Sequence, residues 1–198
     1  LWNLDNKLYK AIYTYFKKKE KEFFKTADAV ITLTENAKSH VLEHFETKQN
    51  FQVVPCAVDL DHFNPDHLNQ ELKINTNKII IDSCSYGEIP NYIAISQASI
   101  FFIVTSFSGK AVSPTKQGEI MSLGLPIVCN ANLGDSDTIL KETNTGIVPS
   151  DYSDQSLKKS AEELLNFTTN AATIRAAAHQ YFALDKAVEK YHSVYKNL

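Results

Sequence analysis

The chain has 198 residues, 43% hydrophobic and 22% charged, a balance ordinary for a soluble globular protein, which excludes disorder as the default. Its net charge of -3 gives no overall attraction for nucleic acid, and a single arginine, Arg175, leaves any anion site to lysine, hydroxyls and backbone amides. Cys56, Cys84 and Cys129 are too few and too far apart for a disulfide framework or zinc motif, no apolar run is long enough to span a bilayer, and the opening residues carry no signal-peptide pattern; a cytoplasmic location is expected.

The first expected element is a helix over about 4–26, with Leu8, Tyr9, Ile12, Tyr13, Phe16, Phe23 and Phe24 interleaved with Lys17, Lys18, Lys19, Lys21 and Lys25. Packing with a solvated lysine face is its simpler reading; peripheral contact with an anionic membrane is the alternative. A strand at 29–33, a helix at 36–45 and a strand at 51–54 follow. Pro55 to Pro65 has neither helical nor strand period and reads as a linker, with His40, His44, His62 and His67 as exposed or linker histidines. Beyond the polar stretch 69–78 come strands at 79–81, 100–104, 126–129 and 146–148, helices at 89–97, 114–123 and 136–142, and further helices over 154–196. The strands are near-continuous apolar runs, as parallel strands covered on both faces should be, so ligand sites belong at their carboxyl ends.

One segment carries clear helix signals. Ser113 suits the N-cap and Pro114 the first helical position, while Gly124 and Pro126 mark the end. The start of this helix follows a strand and a loop containing Gly109, so its free amides, the Thr115 hydroxyl and the Lys116 ammonium can hold a diphosphate. Glu119 lies one turn deeper on roughly the same face, where a carboxylate accepts bonds from paired ribose hydroxyls; a plain surface pair of Lys116 with Glu119 is the alternative. In the next loop Gly134 allows close backbone approach to a ligand, and a capping turn with Asp135 at the N-cap fits equally well.

The run from Ser113 to Val128, with Leu133-Gly134-Asp135 after it, resembles the C-terminal signature of family-4-type retaining glycosyltransferases. Ala27 to Thr34 is similar to the last core strand of their N-terminal domain, and Val53 to Asp59 with Phe63-Asn64-Pro65 to their interdomain segment. The resemblance implies a GT-B-like fold of Rossmann-type parallel sheets, with the N-terminal domain truncated and the C-terminal domain lacking its first strand and loop. It divides the chain into 1–58 (acceptor-side portion), 59–180 (donor-binding domain) and 181–198 (a helix packing back on the first portion). It places Glu119 on the nucleotide ribose, Ser113, Thr115 and Lys116 on the diphosphate, Gly134 and Asp135 near the same site, and Tyr86 and Ile89 beside the base.

The implied activity is transfer of a hexose-like sugar, with retention, from a nucleoside-diphosphate sugar to a glycan or lipid-linked acceptor in bacterial surface polysaccharide synthesis. Neither a metal nor another cofactor is expected. Where the family carries a first glutamate, eight positions before Glu119, this sequence has Ala111, so a donor-sugar contact falls to the backbone around Gly109 and Lys110. No catalytic residue is assigned, and these residues alone are expected to bind a nucleotide sugar weakly and to transfer no sugar. A non-catalytic nucleotide-sugar-binding or assembly module is the alternative.

Overall fold

The computed structural model describes residues 6–47, 50–67, 83–105 and 107–196. Helix α1 (Lys7–Thr26) opens on Asn6, whose side chain accepts from the Leu8 amide, and closes at Ala27. None of its residues is buried; its C-terminal end meets the next helix through Phe24 against Phe45 and an exposed Lys25–Glu46 ion pair. Among the described residues no helix is long and apolar enough to cross a membrane.

Strand β1 (Val30–Thr32), helix α2 (Glu35–His44) and strand β2 (Phe51–Val53) form the first unit, with β1 and β2 paired in parallel. Thr34 is the N-cap of α2, its side chain accepting from the Ala37 amide at 3.0 Å. The second sheet has the order β3 (Ser99–Phe101), β4 (Ile127–Cys129), β5 (Gly146–Ile147), again all parallel. Helix α3 (Ile89–Ala94) precedes β3, while α4 (Thr115–Ser122) and α5 (Ser136–Thr143) make the crossovers that parallel pairing requires. Helices α6 (Asp154–Leu165), α7 (Ala171–Phe182) and α8 (Leu184–Lys196) complete the chain, α6 and α7 capped by the side chains of Ser153 and Asn170. This is the parallel α/β organisation that the apolar runs predict.

The elements are shorter than their apolar runs. β4 is buried at every position, but Ile100 in β3 is 61% exposed, so double coverage holds for the central strand and not for this edge. β3 ends at Phe101 and not at Val104, because the Ile103 amide turns to the Asn130 side-chain oxygen at 2.8 Å. The expected strand at 79–81 and the polar stretch before it lie outside the described residues.

The segment read as a linker is part of the core. Val58 pairs in parallel with Ala183, its amide donating to the Phe182 carbonyl at 2.8 Å, and Phe63 is buried among Ile120, Met121, Ile174 and Phe182. Gly118 makes this close packing of α4 feasible: a β-carbon there would stand 2.5 Å from Val58 Cγ2 and 3.0 Å from Phe182. Val58 therefore pairs directly with the α7–α8 junction, a relation that no local sequence period encodes.

Candidate functional site

Helix α4 starts at the carboxyl edge of the β3–β4–β5 sheet, after a 3-10 turn over Phe107–Ala111. Its N-cap is Pro114 and not Ser113, because the Ser113 hydroxyl accepts the Cys56 amide at 3.1 Å and ties α4 to the segment that follows β2. Proline has no capping side chain, so the helix start keeps its partial positive charge uncompensated by a cap. Thr115 and Lys116 are exposed there, and Glu119 is half-buried one turn further along. Burial pushes the Glu119 carboxyl above its ordinary range, against the opposing pull of Lys116 and then of His62.

Tyr86 opens a 3-10 turn, Tyr86–Glu88, that leads into α3. The Glu88 carboxylate accepts from the Ser85 hydroxyl at 2.6 Å and the Ser85 amide at 3.0 Å, which holds this carboxyl below its usual range and fixes the turn. Tyr86 is 64% exposed, whereas the Ile89 side chain packs against the core; of the two expected base neighbours, Tyr86 has its ring at the surface. His62 corrects the reading of an exposed or linker histidine. Its ring is half-buried, lies parallel to Tyr86 (centroids 5.0 Å, interplanar angle 10°) and edge-on to Phe63, and its Nε2 is shielded without a hydrogen-bond partner.

The two glycine loops meet the first unit directly. Gly134 donates its amide to the Gly109 carbonyl at 2.8 Å, and the buried Thr34 hydroxyl donates to the Lys110 carbonyl at 2.8 Å. Asp135 occupies the N-cap position of α5, yet its carboxylate caps α2 instead, accepting from the Glu35 amide at 2.7 Å, the Asn36 amide at 3.3 Å and Asn36 Nδ2 at 3.1 Å. Asn36 Nδ2 also donates to the Gly134 carbonyl at 2.7 Å. Gly134 is irreplaceable in this arrangement: its φ is 51°, and a β-carbon would collide with the Val112 carbonyl oxygen and crowd Thr34 Cγ2.

Of the anticipated residues, Thr115, Lys116, Glu119 and Tyr86 thus keep groups at the surface or at its edge. Ser113, Asp135 and the backbones of Gly109, Lys110 and Gly134 form a clasp between the two sheets. Local spacing missed Thr34, Asn36 and His62; of these only Thr34, a threonine directly before a helix, carries a local signal. Gln117 was also missed: it is fully buried, donates to the Ser136 carbonyl at 3.4 Å and joins the starts of α4 and α5. The buried Cys129 thiol, at the end of β4, is pushed up to about 12 by desolvation.

No protein-family model matches the chain, and no curated protein matches its sequence. Among solved structures it is similar to a glycosyltransferase from Rickettsia africae ESF-5, with TM-score 0.69 and 14% identity over 92% of this chain and 66% of that one. It is also similar to sucrose-phosphate synthase from Thermosynechococcus elongatus, with TM-score 0.64 and 10% identity over 90% of this chain and 60% of that one. The chain therefore spans about 60–66% of the length of these structures. At such identities the likeness is one of fold, and the fold is α/β, GT-B-like, with Rossmann-type parallel sheets.

Proposed function

We propose that this chain is the nucleotide-sugar-binding portion of a retaining glycosyltransferase, with α4 as the donor-binding element. One observation carries the reading: at the sheet's carboxyl edge, an uncapped helix start presents Thr115 and Lys116, with the partly desolvated Glu119 one turn deeper. The α4 amides, Thr115 and Lys116 bind the diphosphate, and Glu119 accepts from the ribose hydroxyls. As the bond from sugar to diphosphate breaks, negative charge grows on the leaving group. The helix terminus and the Lys116 ammonium stabilise that charge most where water is excluded. Tyr86 flanks the base, and the Asp135 clasp holds the Gly109 and Gly134 loops at the cleft. The acceptor is a glycan or lipid-linked saccharide; the seven lysines of α1, set among exposed Leu8, Tyr15, Phe16 and Phe23, suit an anionic membrane surface on which lipid-linked acceptors lie.

The second reading, a nucleotide-sugar-binding or assembly module without turnover, is favoured by Ala111 in place of a glutamate and by the commitment of Asp135 to α2. Thermal unfolding with added ligands tests the shared part: nucleoside diphosphates raise the midpoint and the bare nucleosides raise it less. No shift with any nucleotide refutes both readings. Transfer of labelled sugar to an acceptor would exclude the module reading, whereas both readings expect none from these residues alone.

A further inference from the structure

His62 has no part in the site as the sequence predicts it, yet its ring lies on Tyr86, a residue that does. Its backbone amide donates to Asp59 Oδ1 at 3.2 Å, and the next residue, Phe63, is 1% exposed, so the chain bearing the ring is anchored at a core position. The imidazole is edge-on to Phe63, at 5.0 Å between centroids, and parallel to Tyr86 at the same separation. Tyr86 in turn meets Phe63 edge-on at 6.5 Å, so the three rings form one cluster that ends at the exposed tyrosine.

The ring nitrogen makes this placement unusual. Nε2 is shielded from solvent and has no hydrogen-bond partner among the described residues. A phenylalanine would fill such a position without burying an unpartnered nitrogen.

We propose that His62 is a positioning residue for the nucleoside half of the site: its ring backs Tyr86, so that the outer face of the tyrosine is held out to a nucleobase. This rests on the nucleotide-binding reading of α4 and adds to it the element that orders the base side. The diphosphate half, at the α4 start, does not depend on His62. A nucleobase stacking on Tyr86 extends the ring cluster by one layer, and the gain is largest when Tyr86 is already held in place.

Calorimetry on the wild type, His62→Phe and His62→Ala, each checked for an unchanged far-ultraviolet circular dichroism spectrum and unfolding midpoint, tests this with two probes, inorganic pyrophosphate and uridine or adenosine diphosphate. The expected result is that H62A weakens the better-bound nucleoside diphosphate about tenfold, as the loss of an aromatic backing predicts. Pyrophosphate affinity stays within about twofold, and H62F restores part of the loss because it keeps the stack. Equal nucleoside diphosphate affinity in all three proteins overturns the inference, as does a parallel loss of pyrophosphate and nucleotide, which would mean general damage to the fold. H62F as weak as H62A also overturns it, because the backing of Tyr86 would then count for nothing. If no nucleotide binds the wild type, the nucleotide-site reading fails and this inference with it; if nucleotides bind and the variants match the wild type, only the role of His62 fails.

Discussion

Replacing Asp135 with alanine removes the carboxylate that caps α2 across the junction of the two sheets. Three donors lose their acceptor: the Glu35 amide at 2.7 Å, the Asn36 amide at 3.3 Å and Asn36 Nδ2 at 3.1 Å. Loss of a capping side chain costs roughly 0.5–2 kcal/mol, and a hydrogen bond to a charged group contributes about 1.5–3 kcal/mol. These overlap, since the bonds are the cap, and water can reach the exposed Glu35 and Asn36 in the variant. About 2 kcal/mol is therefore the expected loss for Asp135→Ala, and about 1 kcal/mol for Asp135→Asn, which keeps one acceptor oxygen but no charge. Thr34→Ala leaves the Lys110 carbonyl without its donor and the Ala37 amide without its cap, with a similar expected cost of about 2 kcal/mol. Because both side chains serve one clasp, the double variant should lose less than the sum of the two, by roughly 0.5–1 kcal/mol. Urea unfolding followed by circular dichroism, with slopes compared among the wild type and the four variants, measures all of these values. An Asp135→Ala variant within about 0.5 kcal/mol of wild type would refute the clasp as an energetic link, as would strict additivity with Thr34→Ala.

Gly118→Ala should cost about 1–3 kcal/mol in the same assay by overpacking against Val58 and Phe182, and an unchanged midpoint would mean that α4 does not sit as described. Labelling with a maleimide at pH 8 should modify the exposed Cys84 first and the half-buried Cys56 more slowly; Cys129, buried and with its thiol pushed up to about 12, should react only in urea, so rapid modification of all three in the native chain would contradict the packing of β4. Burial raises the Glu119 carboxyl, so the folded chain binds this proton more tightly than the unfolded chain and the ionised form costs stability above the folded pKa. Glu119→Gln should accordingly raise the urea midpoint at pH 7, with the gain fading as the pH falls through the carboxylate range; a lowered midpoint at pH 7 would assign Glu119 a structural role.

What the sequence reveals about this chain is local. The stop signals of α4 work as written: Gly124, at φ 80°, donates to the Met121 carbonyl while Leu125 donates to Ile120, closing the helix at the predicted place. Its start shifts by one residue because Ser113, a good N-cap by composition, is taken by the amide of Cys56, 57 positions earlier. The same distance in sequence hides the clasp, whose bonds join residues up to 100 positions apart. It also hides the burial of Val58, whose strand partner is Ala183. His62 was misread for that reason: nothing in Val58 to Pro65 has a period, and only the packing of Phe63 shows that the neighbouring histidine faces Tyr86 and not open solvent. Thr115, Lys116 and Glu119 were legible because helix spacing alone fixes their shared face.

The central claim is that α4 binds the diphosphate and ribose of a nucleotide, and calorimetric titration of the wild type, Lys116→Ala and Glu119→Ala with nucleoside diphosphates and with pyrophosphate tests it most directly. The account predicts that a nucleoside diphosphate binds the wild type, that K116A weakens both probes, and that E119A weakens the nucleoside diphosphate by about 1.5–3 kcal/mol while leaving pyrophosphate nearly unchanged. Nucleotide affinities that are unaltered in both variants would contradict it and return Lys116 and Glu119 to a solvent-facing pair on the surface of α4.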